Sequence, residues 1–195
     1  MMPDFLSRYK IVLGSQSPRR KELLAGLDVP FVQSIMPDIA EVYPPELPLA
    51  EVPQFLSTLK AQAYRKQMDP DTLLITADTV VIVDDRILGK PADRSQAKAM
   101  LRSLSGKEHS VITGVSLTTQ NRQKSFSCES RVSFEVLTDE EIDYYLDHYC
   151  PYDKAGSYGI QEWIGYVAIR RVEGSFYNVM GLPVHLLYQS LKDFA

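Results

Sequence analysis

The sequence predicts an α/β fold in which helices flank a mixed, twisted sheet. Three observations lead to this prediction. The chain opens with a strand, a tight turn and a helix, and residues 73–83 form a run dominated by Leu, Ile and Val that is typical of an interior strand. Residues 109–119 and 124–137 alternate as two long strands. With 195 residues, the chain is long enough for one domain, or for two lobes that share one sheet.

The first half of the chain is predicted to alternate strands and helices. Ser17 suits the N-cap of a helix, and Pro18 suits its first position. The prolines between residues 37 and 48 predict a loop, which carries Asp38 and Glu41. In order, the expected elements are a strand at 9–13, a helix from 18 to about 26, a strand at 31–35, a helix at 49–68, a strand at 73–83, a short strand at 87–88 and a helix at 93–104.

The second half is predicted to begin with the two long strands, and the polar turn near Asn121 favours an antiparallel pair. Thr138 and Glu141 have the spacing of a capping box, which predicts the start of a helix. The remaining expected elements are a helix at 138–149, a loop at 151–161, a strand at 166–171, a loop at 175–183 and a terminal helix.

Composition and charge narrow the class of protein. Hydrophobic residues make up 45% and charged residues 24% of the chain, as in an ordinary globular protein, and no run approaches a membrane span. The net charge of −4 argues against general nucleic-acid binding, which depends on many Lys and Arg contacts to phosphates. Cys128 and Cys150 lack metal-ligand spacing and suggest a reducing compartment, so a cytoplasmic location is expected.

The turn after the first strand has the chemistry of an anion site. Ser15 and Ser17 supply hydroxyls, and Arg19 and Arg20 supply guanidinium groups, all at the N-terminus of the predicted helix. Free N–H groups and the positive end of the helix dipole favour phosphate there, and arginine adds paired hydrogen bonds. An ordinary capped helix with two solvated arginines fits the same residues. Positive charge at a helix N-terminus, where acidic residues are preferred, favours the anion site.

Asp78 lies inside the most apolar run of the chain. A buried carboxylate without a partner is strongly destabilising, so Asp78 requires a cation or a metal ion. Mg²⁺ or Mn²⁺ binds carboxylate oxygens, and the same carboxylate is able to take a proton from a water that attacks phosphorus. The alternative is an aspartate at a strand end that bonds loop amides.

Two lysines and one loop complete the set of candidates. Lys60 lies on a mostly apolar helix, and Lys90 lies between a glycine and a proline. Each alone is more typical of a solvated surface lysine, but with the two arginines they supply about the charge that a triphosphate demands. Residues 152–161 are small and polar, and their glycines allow backbone to approach a ligand closely. Gln161 has an amide that matches the edge of uracil or thymine; a solvated loop residue is the alternative.

Several other chemistries have no support in the sequence. The three histidines, His109, His148 and His185, lack the spacing of a metal pair and are interpreted as structural. A P-loop, a dinucleotide-binding glycine fingerprint and a serine nucleophile elbow are absent from the sequence.

Five motifs, in order and spanning nearly the whole chain, resemble the Maf family of nucleotide pyrophosphatases. They are Ser17-Pro18-Arg19-Arg20, Ala77-Asp78-Thr79-Val80-Val81, Gly89-Lys90-Pro91, Ser105-Gly106-Lys107 with Thr113-Gly114-Val115, and Asp153-Lys154-Ala155-Gly156-Ser157-Tyr158-Gly159-Ile160-Gln161. The resemblance implies a fold similar to the inosine triphosphate pyrophosphatases, a cleft between two lobes and a homodimer. It also implies release of pyrophosphate from a nucleoside triphosphate with the help of Mg²⁺, Mn²⁺ or Co²⁺.

The resemblance assigns roles to individual residues. In this family, the position matching Asp78 is the proton acceptor, and the position matching Glu41 joins it near the metal. The cations that face the phosphates match Arg19, Arg20, Lys60 and Lys90. The branch that acts on dTTP and UTP carries the residue types found here at Arg19, Thr79 and Gln161. The chain departs from the family pattern at Glu162, where glycine is common, and at the residue before Glu41, where aspartate is common.

These observations together predict a nucleotide pyrophosphatase in which Asp78 and Glu41 hold a divalent cation. Asp78 deprotonates a water that attacks the α-phosphorus, and pyrophosphate leaves. One alternative is the same chemistry on another base, such as a 7-methylguanine nucleotide. The other is a nucleotide-binding regulator of septum formation, a process with which the family is associated. Pure anion binding gains nothing from an extra carboxylate unless a metal is held, which argues against the regulator.

Overall fold

The structure, a computed structural model, describes residues 8–35 and 39–194. The strands are β1 (Lys10–Gly14), β2 (Val32–Ser34), β3 (Thr72–Val83), β4 (Arg86–Leu88), β5 (Glu108–Thr118), β6 (Gln123–Phe134) and β7 (Ile169–Glu173). The helices are α1 (Pro18–Ala25), α2 (Val52–Arg65), α3 (Arg94–Leu104), α4 (Asp139–Tyr149), α5 (Trp163–Val167), α6 (Phe176–Met180) and α7 (Val184–Lys192). The strand order is β2-β1-β3-β5-β6-β7, with β4 paired to β3. Parallel and antiparallel pairs both occur, so the predicted mixed α/β class is confirmed.

The chain divides into two compact units. The first unit is Met1–Asp78, Thr113–Cys128 and Gly181–Ala195, and the second is Thr79–Ile112 and Glu129–Met180. The boundaries fall inside β3, β5 and β6, so each of these strands contributes residues to both units.

In the first unit, β1 pairs in parallel with both β2 and β3. Helix α2 packs on these strands through a small apolar cluster made of Val12, Ala61, Met68 and Leu74. The backbone of Gly114 approaches the start of α2 closely, since a Cβ atom there would lie 2.2 Å from backbone atoms of Pro53 and Gln54. Only glycine fits this contact, and the contact fixes the N-terminal end of α2.

The second unit contains a β-hairpin and a larger core. Strands β3 and β4 pair antiparallel through the two-residue turn Asp84-Asp85, in which φ is 48° and 54°. Two consecutive positive φ values are the signature of a type I′ hairpin turn. The core members are Val81, Val83, Ala97, Leu101, Leu104, Val111, Val132, Phe134, Leu137, Ile142, Tyr145, Leu146, Tyr158, Ile160, Ile164 and Ala168.

Most of the predicted elements are present. Ser17 caps α1, and the capping box of Thr138 and Glu141 opens α4, as predicted. The predicted strand at 166–171 is wrong for its first residues, because residues 163–167 form α5 and β7 begins at Ile169. The predicted loop at 175–183 contains α6. Ile164, on α5, has a fully buried side chain, and Gly165 of the same helix packs against the carbonyl of Ile160. This packing outweighs the preference of the segment for a strand.

Three further expectations concern the cysteines, membrane-spanning helices and the acidic loop. Neither Cys128 nor Cys150 forms a disulfide. Over residues 8–35 and 39–194, no helix has the length and apolar character needed to cross a membrane. Asp38, in the predicted acidic loop, lies outside the described residues, whereas Glu41 lies within them.

Candidate active site

The N-terminus of α1 is built as the sequence predicts. The backbone N–H of Arg20 donates to Ser17 Oγ at 3.4 Å, and the N–H of Ser17 donates to Ser15 Oγ at 3.2 Å. Ser15 is buried, and the first turn of α1 contains no acidic residue. The end of this helix therefore presents hydroxyls, amide donors and the positive end of the dipole without any nearby carboxylate from the helix itself.

Arg20 turns into the first unit and bonds the backbone. Its Nε donates to the carbonyl of Gly181, and its Nη1 donates to the carbonyl of Ala77, both at 2.8 Å. Burial lowers the pKa of the guanidinium from its ordinary value, and the nearby carboxylates of Asp78 and Glu41 act in the opposite direction. The guanidinium thus ties α1 to the residue before Asp78. This gives Arg20 a positioning role in addition to the phosphate contact that was predicted for it.

The carboxylate of Asp78 has the cationic partner that its burial requires. Lys60 Nζ lies 2.6 Å from Asp78 Oδ1 and 2.8 Å from Glu41 Oε1. The side chains of Lys60 and Asp78 are 15% and 12% exposed, whereas that of Glu41 is 52% exposed. The carboxylates of Glu41 and Asp78, which are separate in the sequence, therefore both contact the ammonium of Lys60.

Strand β3 and helix α2 are held in the register that makes this contact. Thr76 Oγ1 donates to the carbonyl of Ser57 at 2.7 Å, and both side chains are fully buried. Alternate residues of a strand share a face, so Thr76 and Asp78 both face α2. Lys60 lies one helical turn after Ser57, at the level of Asp78.

The carboxylates of Glu41 and Asp78 are the described groups near Lys60 that could hold a divalent cation. Among the described residues, no group of three or more His, Cys, Asp and Glu side chains could hold a metal ion. Two carboxylates nevertheless suffice for Mg²⁺, which commonly binds one or two of them and completes its shell with water and substrate phosphates. The ammonium of Lys60 lies between the carboxylates of Glu41 and Asp78, so this position already favours a positive charge. Glu41 and Asp78 are the residues able to hold the ion.

In the second unit, the loop at 153–161 is tied to the segment that carries Lys90. The N–H of Gly156 donates to the carbonyl of Gly89 at 3.1 Å. Gly156 has φ +68°, and a Cβ atom there would lie 3.0 Å from Val81, so this position requires glycine. Ser157 also has a positive φ, although it is not glycine, and its side chain is fully buried. Strain of this kind is often found in ligand-binding loops.

Gln161, one of the predicted specificity residues, has a buried side-chain oxygen. Its Oε1 is buried and has no hydrogen-bond partner among the residues that the structure describes. An unsatisfied buried amide oxygen is destabilising, and a donor from a ligand would relieve this. Thr79 is half-buried on β3 in this unit, and Lys90 is exposed.

The sequence gives no role to four further residues, which form a cluster next to Gln161. Lys154 is only 8% exposed and pairs with Asp153 at 2.7 Å and with Glu162 at 3.1 Å. Tyr145 donates its hydroxyl to Glu162. No periodic pattern identifies this cluster, because its members come from a helix, a loop and the start of a second helix.

A separate surface depression of about 430 Å³ lies in the first unit. It is lined by Leu47, Glu51, Gln54, Phe55, Thr58 and Ser127. None of the predicted site residues lines it.

Comparison with known proteins agrees with the resemblance seen in the sequence. The model of the Maf-like protein family matches residues 10–194. A dTTP/UTP pyrophosphatase of Porphyromonas gingivalis is 67% identical over 195 residues, which cover 99% of this chain and 98% of that protein. A dTTP/UTP pyrophosphatase of Bacteroides thetaiotaomicron is 57% identical over 187 residues, which cover 96% of this chain and 97% of that protein.

Among solved structures, a HAM1 protein from Coxiella burnetii matches with a TM-score of 0.43 and 19% identity, covering 63% of this chain and 70% of that one. The family model covers nearly the whole sequence, including all of the predicted site residues. The chain belongs to the Maf-like protein family.

Proposed function

We propose that this protein is a cytoplasmic, homodimeric nucleotide diphosphatase that hydrolyses dTTP and UTP to the monophosphate and pyrophosphate. One observation carries the proposal: a buried aspartate on β3 shares the ammonium of Lys60 with Glu41, and Arg20 of α1 bonds the residue before that aspartate. The similarity to proteins named dTTP/UTP pyrophosphatase supports the choice of substrate.

Asp78 is the proton acceptor in the proposed reaction. Its Oδ1 accepts a hydrogen bond from Lys60, so Oδ2 is the atom that takes the proton from the water attacking the α-phosphorus. Lys60 keeps Oδ1 fixed and holds Glu41 beside it. Glu41 and Asp78 would hold a divalent cation, which would supply the further positive charge that the phosphate oxygens require. Mg²⁺, Mn²⁺ and Co²⁺ are the proposed ions.

The triphosphate is bound by the N-terminus of α1. Ser15, Ser17 and Arg19 contact the phosphates there, and the exposed Lys90 adds charge for the departing pyrophosphate. Arg20 holds α1 against the backbone at Ala77 and keeps the phosphate-binding end of the helix in place. Thr79 and Gln161 select the pyrimidine. Oε1 of Gln161, which has no partner within the described part of the chain, is the acceptor for the N3–H of thymine or uracil.

A substrate panel tests the proposal. Pyrophosphate release is measured for dTTP, UTP, CTP, ATP, GTP and 7-methyl-GTP, each with EDTA and with Mg²⁺, Mn²⁺ or Co²⁺. We expect the largest kcat/KM for dTTP and UTP, and activity only with a cation. A larger kcat/KM for 7-methyl-GTP contradicts the substrate, and tight nucleotide binding without turnover under any condition contradicts the enzyme. Gel filtration with light scattering tests the homodimer.

A further inference from the structure

The carboxylate of Glu162 lies at the centre of a buried polar cluster in the second unit. Its Oε1 accepts from Lys154 Nζ at 3.1 Å, and its Oε2 accepts from the hydroxyl of Tyr145. That hydroxyl in turn accepts the backbone N–H of Gly159 at 3.0 Å. The cluster therefore joins both ends of the loop at 153–161 and also reaches its backbone.

The cluster is chemically complete without a ligand. Burial, and next the hydrogen bond to Glu162, raise the pKa of Tyr145 above its ordinary value, so the hydroxyl remains a donor. Lys154 is neutralised by Glu162 together with Asp153. A buried ammonium between two carboxylates is already compensated, so Lys154 is a poor candidate for a phosphate contact.

The carboxylate of Glu162 packs closely against the backbone of the loop at 153–161. A Cβ atom on Gly159 would lie 2.8 Å from Glu162 Cδ, so the carboxylate rests directly on the loop backbone. Glu162 also occupies the N-cap position of α5, but its side chain makes no capping hydrogen bond. An N-cap residue commonly bonds the first turn of its own helix. Here the side chain turns away from the helix and bonds the loop instead.

Gln161 lies between Ile160 and Glu162, at the point where this loop enters α5. It follows the loop backbone that the cluster bonds at Gly159, while its own Oε1 has no partner among the described residues. A side chain that is to discriminate between bases must be held by its neighbours when no ligand is present.

We propose that Glu162, with Lys154 and Tyr145, is a positioning residue that holds Gln161 in the orientation that selects uracil or thymine. The proposal rests on the proposed function for the identity of the ligand, but not for the existence of the cluster. Glu162 acts through Gln161 and touches no reacting atom.

The first arm of the test measures the ligand-free protein. Hydrogen exchange of the amides of residues 156–161 is compared for wild type, Glu162→Ala and Glu162→Gln. Local stability governs exchange, so we expect Glu162→Ala to exchange roughly tenfold faster in this segment and Glu162→Gln to lie near wild type. Glu135→Ala is the matched control, because its pair with Arg170 in the same unit is exposed and 3.9 Å long. Unchanged exchange in Glu162→Ala overturns the proposal.

The second arm measures base selection. The ratio of kcat/KM for UTP to that for CTP, and the ratio of dissociation constants for the α,β-imido analogues, are determined for each variant. We expect both ratios to fall roughly tenfold in Glu162→Ala, mainly through KM, and to be largely restored in Glu162→Gln. General destabilisation would lower activity towards both nucleotides without changing the ratios. Unchanged ratios in Glu162→Ala, or a wild-type protein without preference between the bases, overturn the proposal.

A second variant and the binding measurements separate a failure of the positioning role from a failure of the proposed function. If Glu162→Ala does not fold, Tyr145→Phe removes the hydroxyl that links Glu162 to Gly159 while keeping the ring, and is judged by the same measurements. If the wild type binds the uridine analogue selectively but turns over no triphosphate, the proposed function is wrong, and the binding ratios still decide the role of Glu162. If the wild type hydrolyses dTTP and UTP selectively while the variants match it, the function stands and the positioning role is wrong.

Discussion

The ammonium of Lys60, on α2, lies 2.6 Å from Oδ1 of Asp78, on β3, which is the next element along the chain. The same nitrogen contacts Glu41 at 2.8 Å, so one positive charge faces two carboxylates. The group carries a net negative charge, and a divalent cation would reverse this balance. Lys60 therefore stabilises the site in the absence of metal and lies next to the atoms that the reaction uses.

Replacing Asp78 by asparagine tests the proton acceptor. The amide retains an oxygen for Lys60 but takes no proton from water, so we expect kcat to fall by roughly 100- to 10,000-fold. The measurement is pyrophosphate release from dTTP and UTP with saturating Mg²⁺. Asp69→Asn is the control, because its pair with Lys10 in the same unit is exposed and 3.5 Å long. A folded Asp78→Asn protein with near wild-type kcat contradicts the role.

Replacing Lys60 by methionine tests the ion pair. In EDTA, the buried carboxylate of Asp78 loses its partner, and we expect the free energy of unfolding to fall by about 3 kcal/mol. Added Mg²⁺ or Mn²⁺ supplies the missing charge, so it should stabilise Lys60→Met more than it stabilises wild type. Urea unfolding with and without metal measures both effects, and Lys10→Met is the control. Equal stabilisation of both proteins by metal would argue that the ion binds elsewhere.

The guanidinium of Arg20 donates to two backbone carbonyls, so its replacement has a structural cost. Lysine cannot bond the carbonyls of Ala77 and Gly181 with the geometry that the guanidinium provides. We expect Arg20→Lys to lower the free energy of unfolding by about 2 kcal/mol, since a buried carbonyl loses its donor. Arg19→Lys should raise KM, because Arg19 is the proposed phosphate contact. Urea unfolding and steady-state kinetics measure the two effects, and the reverse pattern would exchange the two roles.

The parts of the site that the sequence predicts are those with a local signal. Ser17 and Pro18 are adjacent and together predict the start of α1. Asp78 is identified because it is a carboxylate in a largely apolar strand. The contact between Asp78 and Lys60 has no local signal, because it depends on the register of α2 against β3 that Thr76 and Ser57 establish.

The contacts of Arg20 join residues that are even farther apart in the sequence. Arg20 bonds residues that lie 57 and 161 positions away in the chain. The error at residues 166–167 has the same origin. Tyr166 and Val167 favour a strand by propensity, but the contact of Gly165 with Ile160 places them in a helix.

The buried His109, in the second unit, makes the free energy of unfolding depend on pH in the acid range. It is 3% exposed, its Nε2 pairs with the hydroxyl of Tyr158 at 2.7 Å, and burial lowers its pKa from 6.5 to about 4. The unfolded chain binds the proton first as the pH falls. The contribution is therefore fully present above pH 6.5 and is lost between about pH 6.5 and 4, by up to about 3 kcal/mol.

Urea unfolding between pH 7 and 4.5 measures this loss. We expect His109→Gln, whose side chain does not titrate in this range, to show a shallower fall in stability with decreasing pH. His148→Gln changes an exposed histidine and serves as the control. Identical slopes for wild type and His109→Gln would assign the acid sensitivity to other groups.

Gln161 combines a structural cost with a proposed role in recognition. Its buried Oε1 has no partner among the described residues, and leaving such an atom unsatisfied costs about 1–3 kcal/mol. Gln161→Ala removes that cost, so we expect the variant to be as stable as wild type or more stable. The same change removes the acceptor for the N3–H of uracil or thymine, so KM for UTP and dTTP should rise by roughly tenfold while kcat changes less.

Thermal unfolding and steady-state kinetics on UTP, dTTP and CTP together decide the role of Gln161. Gln123→Ala is the matched control, because the amide of Gln123 is half-buried and donates to Thr118 Oγ1 at 3.1 Å, so its loss should reduce stability without changing base preference. Stability retained with selectivity lost is the mark of a residue kept for function at the expense of the fold. A Gln161→Ala protein that is less stable and equally selective would make Gln161 an ordinary structural residue of the loop.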